Sequence, residues 1–214
     1  MDEQEATRWL AEQADVSRET FDRIDRFIAL LREENDRQNL VSGATFDQIW
    51  SRHIADSIQL LRHARSGGGS WLDLGSGAGF PGLMIALLHP GPVTLLEQRR
   101  LRVAFLEKAA ATLDLGKRVR IVCANARRFE TSPFAVISAR AVAPLADIFA
   151  MAAHLATNDT RWVLPKGRNA KSELDAARTS WQGVFRLEPS VTDPEARIVI
   201  AEQVRPHNKG KRRA

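Results

Sequence analysis

Residues 72–82 read LDLGSGAGFPG, with glycines at 75, 77, 79 and 82 directly behind a short apolar run. Glycine buries little and loses much backbone entropy on folding. Such a run therefore belongs where the chain must turn tightly or a ligand must lie against it. The apolar run reads as a strand and residues 80–89 as a helix. The N-terminus of a helix offers free N–H groups and partial positive charge to an anion. Glu97 ends the next strand, 22 residues after Gly75. A carboxylate there can accept bonds from both hydroxyls of an adenosine ribose. Gly75, Gly77, Gly79 and Glu97 together point to an adenosine-containing cofactor.

Two cofactors compete. Gly77-Ala78-Gly79-Phe80-Pro81-Gly82 spells the dinucleotide fingerprint G-x-G-x-x-G. The same stretch also reads Asp73-x-Gly75-x-Gly77-x-Gly79. That reading puts a carboxylate at the mouth of the loop, where it would repel a pyrophosphate and attract the ammonium of S-adenosylmethionine. It accommodates Asp73 as well as the glycines and is favoured. An NAD(P)-dependent oxidoreductase stays open as the alternative.

Methyl transfer then has to find its acceptor. Methylating C5 of a pyrimidine needs an adding nucleophile, normally cysteine. The one cysteine, Cys123, ends an apolar strand and reads as a small buried hydrophobe. An Asn/Asp/Ser-Pro-Pro-aromatic turn would suit an exocyclic amine, but Ser138-Ala139-Arg140-Ala141 stands there. What remains is a target that attacks unaided, such as N7 of guanine, with catalysis by positioning and electrostatics. Arg140 follows the strand that should flank the methyl group. It can hold the cofactor or donate to guanine O6, and cannot be a base. His53 and Asp56 share a helical side, where they either close this pocket or dock a helix. Lys166, after a later strand, can touch an RNA phosphate or the base.

These residues need a frame. WLDL (71–74), VTLLE (93–97), VRIVC (119–123), FAVIS (134–138) and RWVLP (161–165) read as strands. Helical stretches at 80–89, 99–113, 144–156 and 169–182 alternate with them. This is the pattern of βαβ units and a parallel sheet. VFRLE (184–188) and RIVIAEQV (197–204) add an antiparallel hairpin. Before the Ser66-Gly67-Gly68-Gly69-Ser70 break lie two helical stretches. Residues 17–36 are capped by Ser17 and carry Phe21, Ile24, Phe27, Ile28 and Leu31. Residues 45–64 carry Phe46, Ile49, Trp50, Ile54, Ile58 and Leu61. The expected division is a helical extension (1–65), an α/β domain (66–205) and a basic tail (206–214).

The formal charge of +5 is unevenly spread. Residues 1–60 carry 13 acids and 7 bases, residues 61–204 carry 13 acids and 19 bases, and residues 205–214 hold five cations and no acid. A polyanion is the expected partner of the second segment and tail. Arg99, Arg100, Arg102, Lys117, Arg118 and Arg120 are phosphate candidates. A non-catalytic RNA-binding or assembly protein would share this charge pattern. One cysteine, no apolar run of membrane length and an acidic start predict a cytoplasmic chain with no metal cluster and no membrane span.

Five stretches carry a family resemblance. They are Asn39-Leu40-Val41-Ser42, Arg52-His53-Ile54-Ala55-Asp56-Ser57, Leu72 to Gly82, Ser138-Ala139-Arg140-Ala141-Val142-Ala143 and Leu164-Pro165-Lys166-Gly167. In this order, over roughly residues 20–205, the chain resembles the RsmG (GidB) family of bacterial methyltransferases. The resemblance implies modification of N7 of guanine 527 in 16S ribosomal RNA, free or within the 30S subunit; a monomer is expected. It implies a class I S-adenosylmethionine-dependent methyltransferase fold, Rossmann-like and doubly wound, with a mostly parallel seven-stranded sheet. By position it assigns cofactor contacts to Gly75, Phe80, Ala126, Arg127 and Arg140, with Gly77, Gly79 and Glu97 lining the same pocket. The family commonly carries a glutamate where this chain has Arg127.

Overall fold

In the computed structural model, which describes residues 1–64 and 67–207, Trp71–Leu74 (β1) is buried along its whole length. Only a strand with neighbours on both sides and cover on both faces can be so. Its neighbours are Val93–Glu97 (β2) and Val136–Ala139 (β4), both parallel to it. Val119–Cys123 (β3) pairs outside β2, and Arg161–Lys166 (β5) outside β4. Trp181–Pro189 (β6) and Arg197–Pro206 (β7) form the antiparallel hairpin, with β7 against β5. The described residues thus form one seven-stranded sheet in the order β3-β2-β1-β4-β5-β7-β6. The order reverses beside β1, and at such a switch point a doubly wound sheet opens a crevice at its carboxyl ends.

Alternate strand residues feed two cores. Trp71, Val93, Leu95 and Val136 face one; Leu72, Leu74, Leu96 and Ile137 face the other. The N-terminal helices, Glu3–Gln13 (α1) and Arg18–Gln38 (α2), pack into the first core. A short turn, Gly43–Phe46 (α3), and a piece at Asp56–Ile58 (α4) follow them. The helices Gly82–Leu88 (α5) and Arg100–Thr112 (α6) cover the same face. Phe27 of α2 meets Phe80 and Phe105 at centroid distances of 5.6 and 6.3 Å. The extension therefore shares its core with the sheet. Leu145–Ala152 (α7) and Ala170–Ala177 (α8) cover the opposite face.

Several elements depart from the sequence reading. Helix α1 was not foreseen, although Asp2 and Glu5 make a capping box and Ala6 and Leu10 are buried. The stretch at 45–64 is not one helix. It breaks after α3, passes through a π-helical turn at Trp50–Ala55 and α4, and ends as a 3₁₀ turn at Gln59–His63. Glu3 stabilises the break by accepting from Trp50 N, Ser51 N and the Ser51 hydroxyl at 3.0, 2.8 and 2.7 Å. Helix α8 stops at Ala177, because Trp181 is taken up by pairing with Pro206. Strand β7 runs to Pro206, into the expected tail, while residues 208–214 of that tail and 65–66 of the linker lie outside the described residues. Cys123 is exposed, not buried, because β3 is the edge strand.

Asp73 also needs correction. It does not stand at a solvent-facing mouth: it is 0% exposed. Its Oδ1 accepts from the Ser138 hydroxyl at 2.8 Å and its Oδ2 from Gly82 N at 3.2 Å, which ties β1 to β4 and to the start of α5. Gly82 must be glycine, since a Cβ would overlap Leu95 and Asp73. Burial pushes the Asp73 carboxyl up to about 6, against hydrogen bonds from Ser138, Ser76 and Gly82 that pull it down. Among the described residues no helix is long and apolar enough to cross a membrane, and no group of three His, Cys, Asp or Glu is placed to hold a metal ion.

Two outcomes test this frame. Glu3→Ala, which orphans two backbone N–H groups, should lower unfolding stability by about 1–3 kcal/mol in urea titration. A change within a few tenths would show that α1 does not hold the break. The second concerns pH. A carboxyl with a folded pKa of about 6 against 3.8 unfolded stabilises the fold when protonated. That contribution is full below pH 3.8 and is lost as pH rises through about 6, a swing of about 3 kcal/mol at 1.4 per unit. Between about pH 4 and pH 7, wild type should lose stability by that order relative to Asp73→Asn. Parallel curves for the two proteins would contradict it.

Candidate active site

A cleft of about 830 Å³ opens at the carboxyl ends of β1, β4 and β5. The glycine loop forms one wall. Gly75 has φ +65°, and a Cβ there would press on Val142 at 2.8 Å, so both backbone and space require glycine. Gly77 N donates to Glu97 Oε2 at 3.1 Å, and Arg99 N to Glu97 Oε1 at 2.9 Å. Glu97 is buried and braces the loop.

Arg140 stands at the centre, one residue past β4. Its Nη1 donates to the Arg52 carbonyl at 2.9 Å and to Asp56 Oδ2 at 3.4 Å. Its Nη2 donates to His53 Nδ1 at 2.8 Å. The guanidinium lies 5.3 Å from the Phe80 ring centroid, and the His53 ring packs on Phe80 at 4.9 Å. Ala141 follows with φ +55°, a left-handed conformation that a residue with a Cβ rarely adopts; such strain clusters at functional sites. Burial lowers the Arg140 pKa and Asp56 raises it, yet an arginine stays charged. His53 is held down to about 3, by burial first and then by Arg140 and Arg52. It is therefore a neutral ring, and a poor general base at neutral pH.

Asp56 is itself fixed. Its Oδ1 accepts from Gln59 Nε2 at 2.8 Å and from the Thr192 hydroxyl at 2.9 Å. Gln59 Oε1 accepts from Val191 N at 2.9 Å. The loop between β6 and β7 is thus clamped to the helical extension beside Arg140. Lys166 is not a solvated lysine: it is 10% exposed, stands 2.8 Å from Glu173 Oε2 and donates to the Ala143 carbonyl at 2.7 Å. It ties β5 to the loop that follows Arg140.

Gly75, Gly77, Phe80, Arg140, His53 and Lys166 converge on this one cleft. Asp73, Gly79 and Glu97 stand outside its lining and support the loop. Ala126 and Arg127 lie beyond β3, past β2 from the centre, and Arg127 is exposed. Arg99 and Arg100 are exposed at the start of α6, outside the lining, while Arg102 and Arg52 reach it. Thr192 and Gln59 carry no sequence signal of their part, because they meet across 133 residues.

The buried place of Asp73 removes the electrostatic argument that set one cofactor against the other, so the comparison with known proteins decides. Residues 20–192 match the family model GidB, described as rRNA small subunit methyltransferase G. A protein named ribosomal RNA small subunit methyltransferase G from Rhizorhabdus wittichii is 46% identical over 99% of this chain and 98% of its own length. One of the same name from Zymomonas mobilis is 45% identical over 96% of each. Among solved structures, the glycopeptide N-methyltransferase MtfA with S-adenosyl-L-homocysteine aligns at TM-score 0.61 and 12% identity, over 70% of this chain and 89% of that one, a likeness of fold alone. The fold is that of a class I methyltransferase, and by sequence over most of its length the chain belongs to the rRNA small subunit methyltransferase G (GidB) family.

Proposed function

We propose that this chain transfers a methyl group from S-adenosylmethionine to N7 of guanine 527, in the 530 loop of 16S ribosomal RNA. The observation that carries it is the Arg140 cluster: a permanent cation, a neutral histidine and the Phe80 ring, at the switch point beside the glycine loop. None of these three groups takes up a proton at neutral pH, Asp56 beside them is occupied by Arg140, Gln59 and Thr192, and N7 has no proton to lose.

Gly75, Gly77, Phe80, Glu97 and Arg140 would hold the cofactor, with Ala126 and Arg127 beside the adenine. The cofactor, when bound, supplies an electrophilic methyl on a sulfonium. Guanine N7 would receive that methyl on its own lone pair, with S-adenosylhomocysteine as the leaving group and the positive charge passing to the ring. A neutral His53 spares that ring a second cation. The protein's part is to bring donor and acceptor together in a dry, oriented site. Arg52 and Arg102 in the cleft, Arg99 and Arg100 beside it, and the cations of residues 208–214 would meet RNA phosphates.

The test uses cofactor with a labelled methyl, and 30S subunits and free 16S RNA from cells lacking the modification. Label mapped by cleavage to one guanine of the 530 loop is the expected result. No transfer to either substrate, with cofactor binding confirmed, would overturn the proposed acceptor. In the same assay Arg140→Ala should lose about 100-fold or more in turnover, the usual scale for a lost electrostatic contact. It should still unfold cooperatively, since Asp56 keeps Gln59 and Thr192. Wild-type turnover in that variant would end the role given to Arg140.

A further inference from the structure

We infer that His53 is the residue that selects guanine, through a hydrogen bond from Nε2–H to O6 of the target base. The inference rests on the methyl-transfer reading above. Arginine only donates, so the 2.8 Å contact from Arg140 Nη2 makes His53 Nδ1 the acceptor and leaves the ring hydrogen on Nε2. The arginine thereby fixes the tautomer, and the ring is neutral.

That Nε2 is buried and has no hydrogen-bond partner among the described residues. A buried N–H without an acceptor gives up its hydration for nothing in return, and native structures rarely leave one so. His53 belongs to the cleft wall, stacked on Phe80. The donor is shut off from solvent in this wall, so an acceptor on an incoming base reaches it only as the wall shifts to admit that base.

The purine edge names the acceptor. Beside N7, guanine carries O6, an acceptor, whereas adenine carries an amino group, a donor. N7 must keep its lone pair for the methyl group, so recognition falls on the position next to it. A fixed N–H donor bonds guanine there and meets another N–H on adenine. Unpaired polar contacts of that kind discriminate far better than a missing methyl group does. Arg140 is thus a positioning residue for His53 in addition to its own place in the cleft.

The test reads base preference as well as rate. Particles or RNA would carry guanine, inosine or 2,6-diaminopurine at the target position. Inosine keeps O6; 2,6-diaminopurine replaces it with an amino group. Wild type should methylate guanine and inosine within a few-fold of each other, and 2,6-diaminopurine about 100-fold more slowly. His53→Asn keeps an oxygen near Nδ1 for Arg140 and deletes the outer donor. It should lower the guanine rate about 10- to 100-fold and leave the 2,6-diaminopurine rate alone, collapsing the ratio. His53→Gln sets an amide N–H near Nε2 and should restore most of the ratio. A purely structural role would lower both rates together and keep the ratio, which would overturn the inference. Weakened cofactor affinity in His53→Asn with the ratio intact would also overturn it and give the donor to the cofactor. Wild type that labels no guanine would sink the methyl-transfer reading itself, and this inference with it.

Discussion

The site depends on one guanidinium held from across the chain. Arg140 comes from the end of β4, yet its partners are the Arg52 carbonyl, His53 and Asp56, 84 to 88 residues earlier. A buried cation is costly unless it is paired and fully bonded. Placing Arg140 at 18% side-chain exposure therefore requires the helical segment to be docked. Docking in turn requires that segment to bend. The π-helical turn at Trp50–Ala55 presents a carbonyl and a ring nitrogen, and Asp56 directly after it a carboxylate, to one guanidinium, and Glu3 satisfies the N–H groups at the start of the turn. Turns of this kind are frequent at functional sites.

The sheet supplies the fixed side of the cleft. Asp73 is a buried carboxylate whose bonds join β1, β4 and the start of α5, and Ser138 passes the link on to Trp71 Nε1 at 2.9 Å. Glu97 does the same for the glycine loop from β2. Two acidic residues that a motif reading turns toward a ligand are thus first of all parts of the scaffold. Lys166 and Glu173 close the far side between β5 and α8. Asp73, Glu97, Arg140, Asp56 and Lys166 are each oriented by bonds to the surrounding fold, as a reaction needs that proceeds by placement.

The parallel strands were legible as short apolar runs at βαβ spacing, which burial on both faces explains for β1 and β2 and half-burial at the sheet edge for β3. WLDL, VTLLE and VRIVC fall where they were read, residue for residue. Helix ends were less so. Trp181 looks like the end of a helix until Pro206 appears opposite it, and no local signal tells of a pairing 25 residues away. Helix α1 was legible in its capping box, but its polar composition hid the two buried residues that dock it. Of the residues that line the cleft, the glycine loop, His53, Arg140 and Lys166 stand out in the sequence by type and motif. The placing of Asp73 and Cys123 was misjudged because exposure follows sheet order and packing, which spacing does not carry. The part of Thr192 and Gln59 is visible only once β6 and β7 fold back on the helical segment.

The most direct test of this account is a crystal structure of the chain with S-adenosylhomocysteine. The product should lie along the glycine loop, its ribose at Glu97 and its sulfur facing the Arg140 cluster, with Arg140 still bonded to Arg52 and His53. A product bound elsewhere, or bound with the helical segment undocked and Arg140 released, would contradict it.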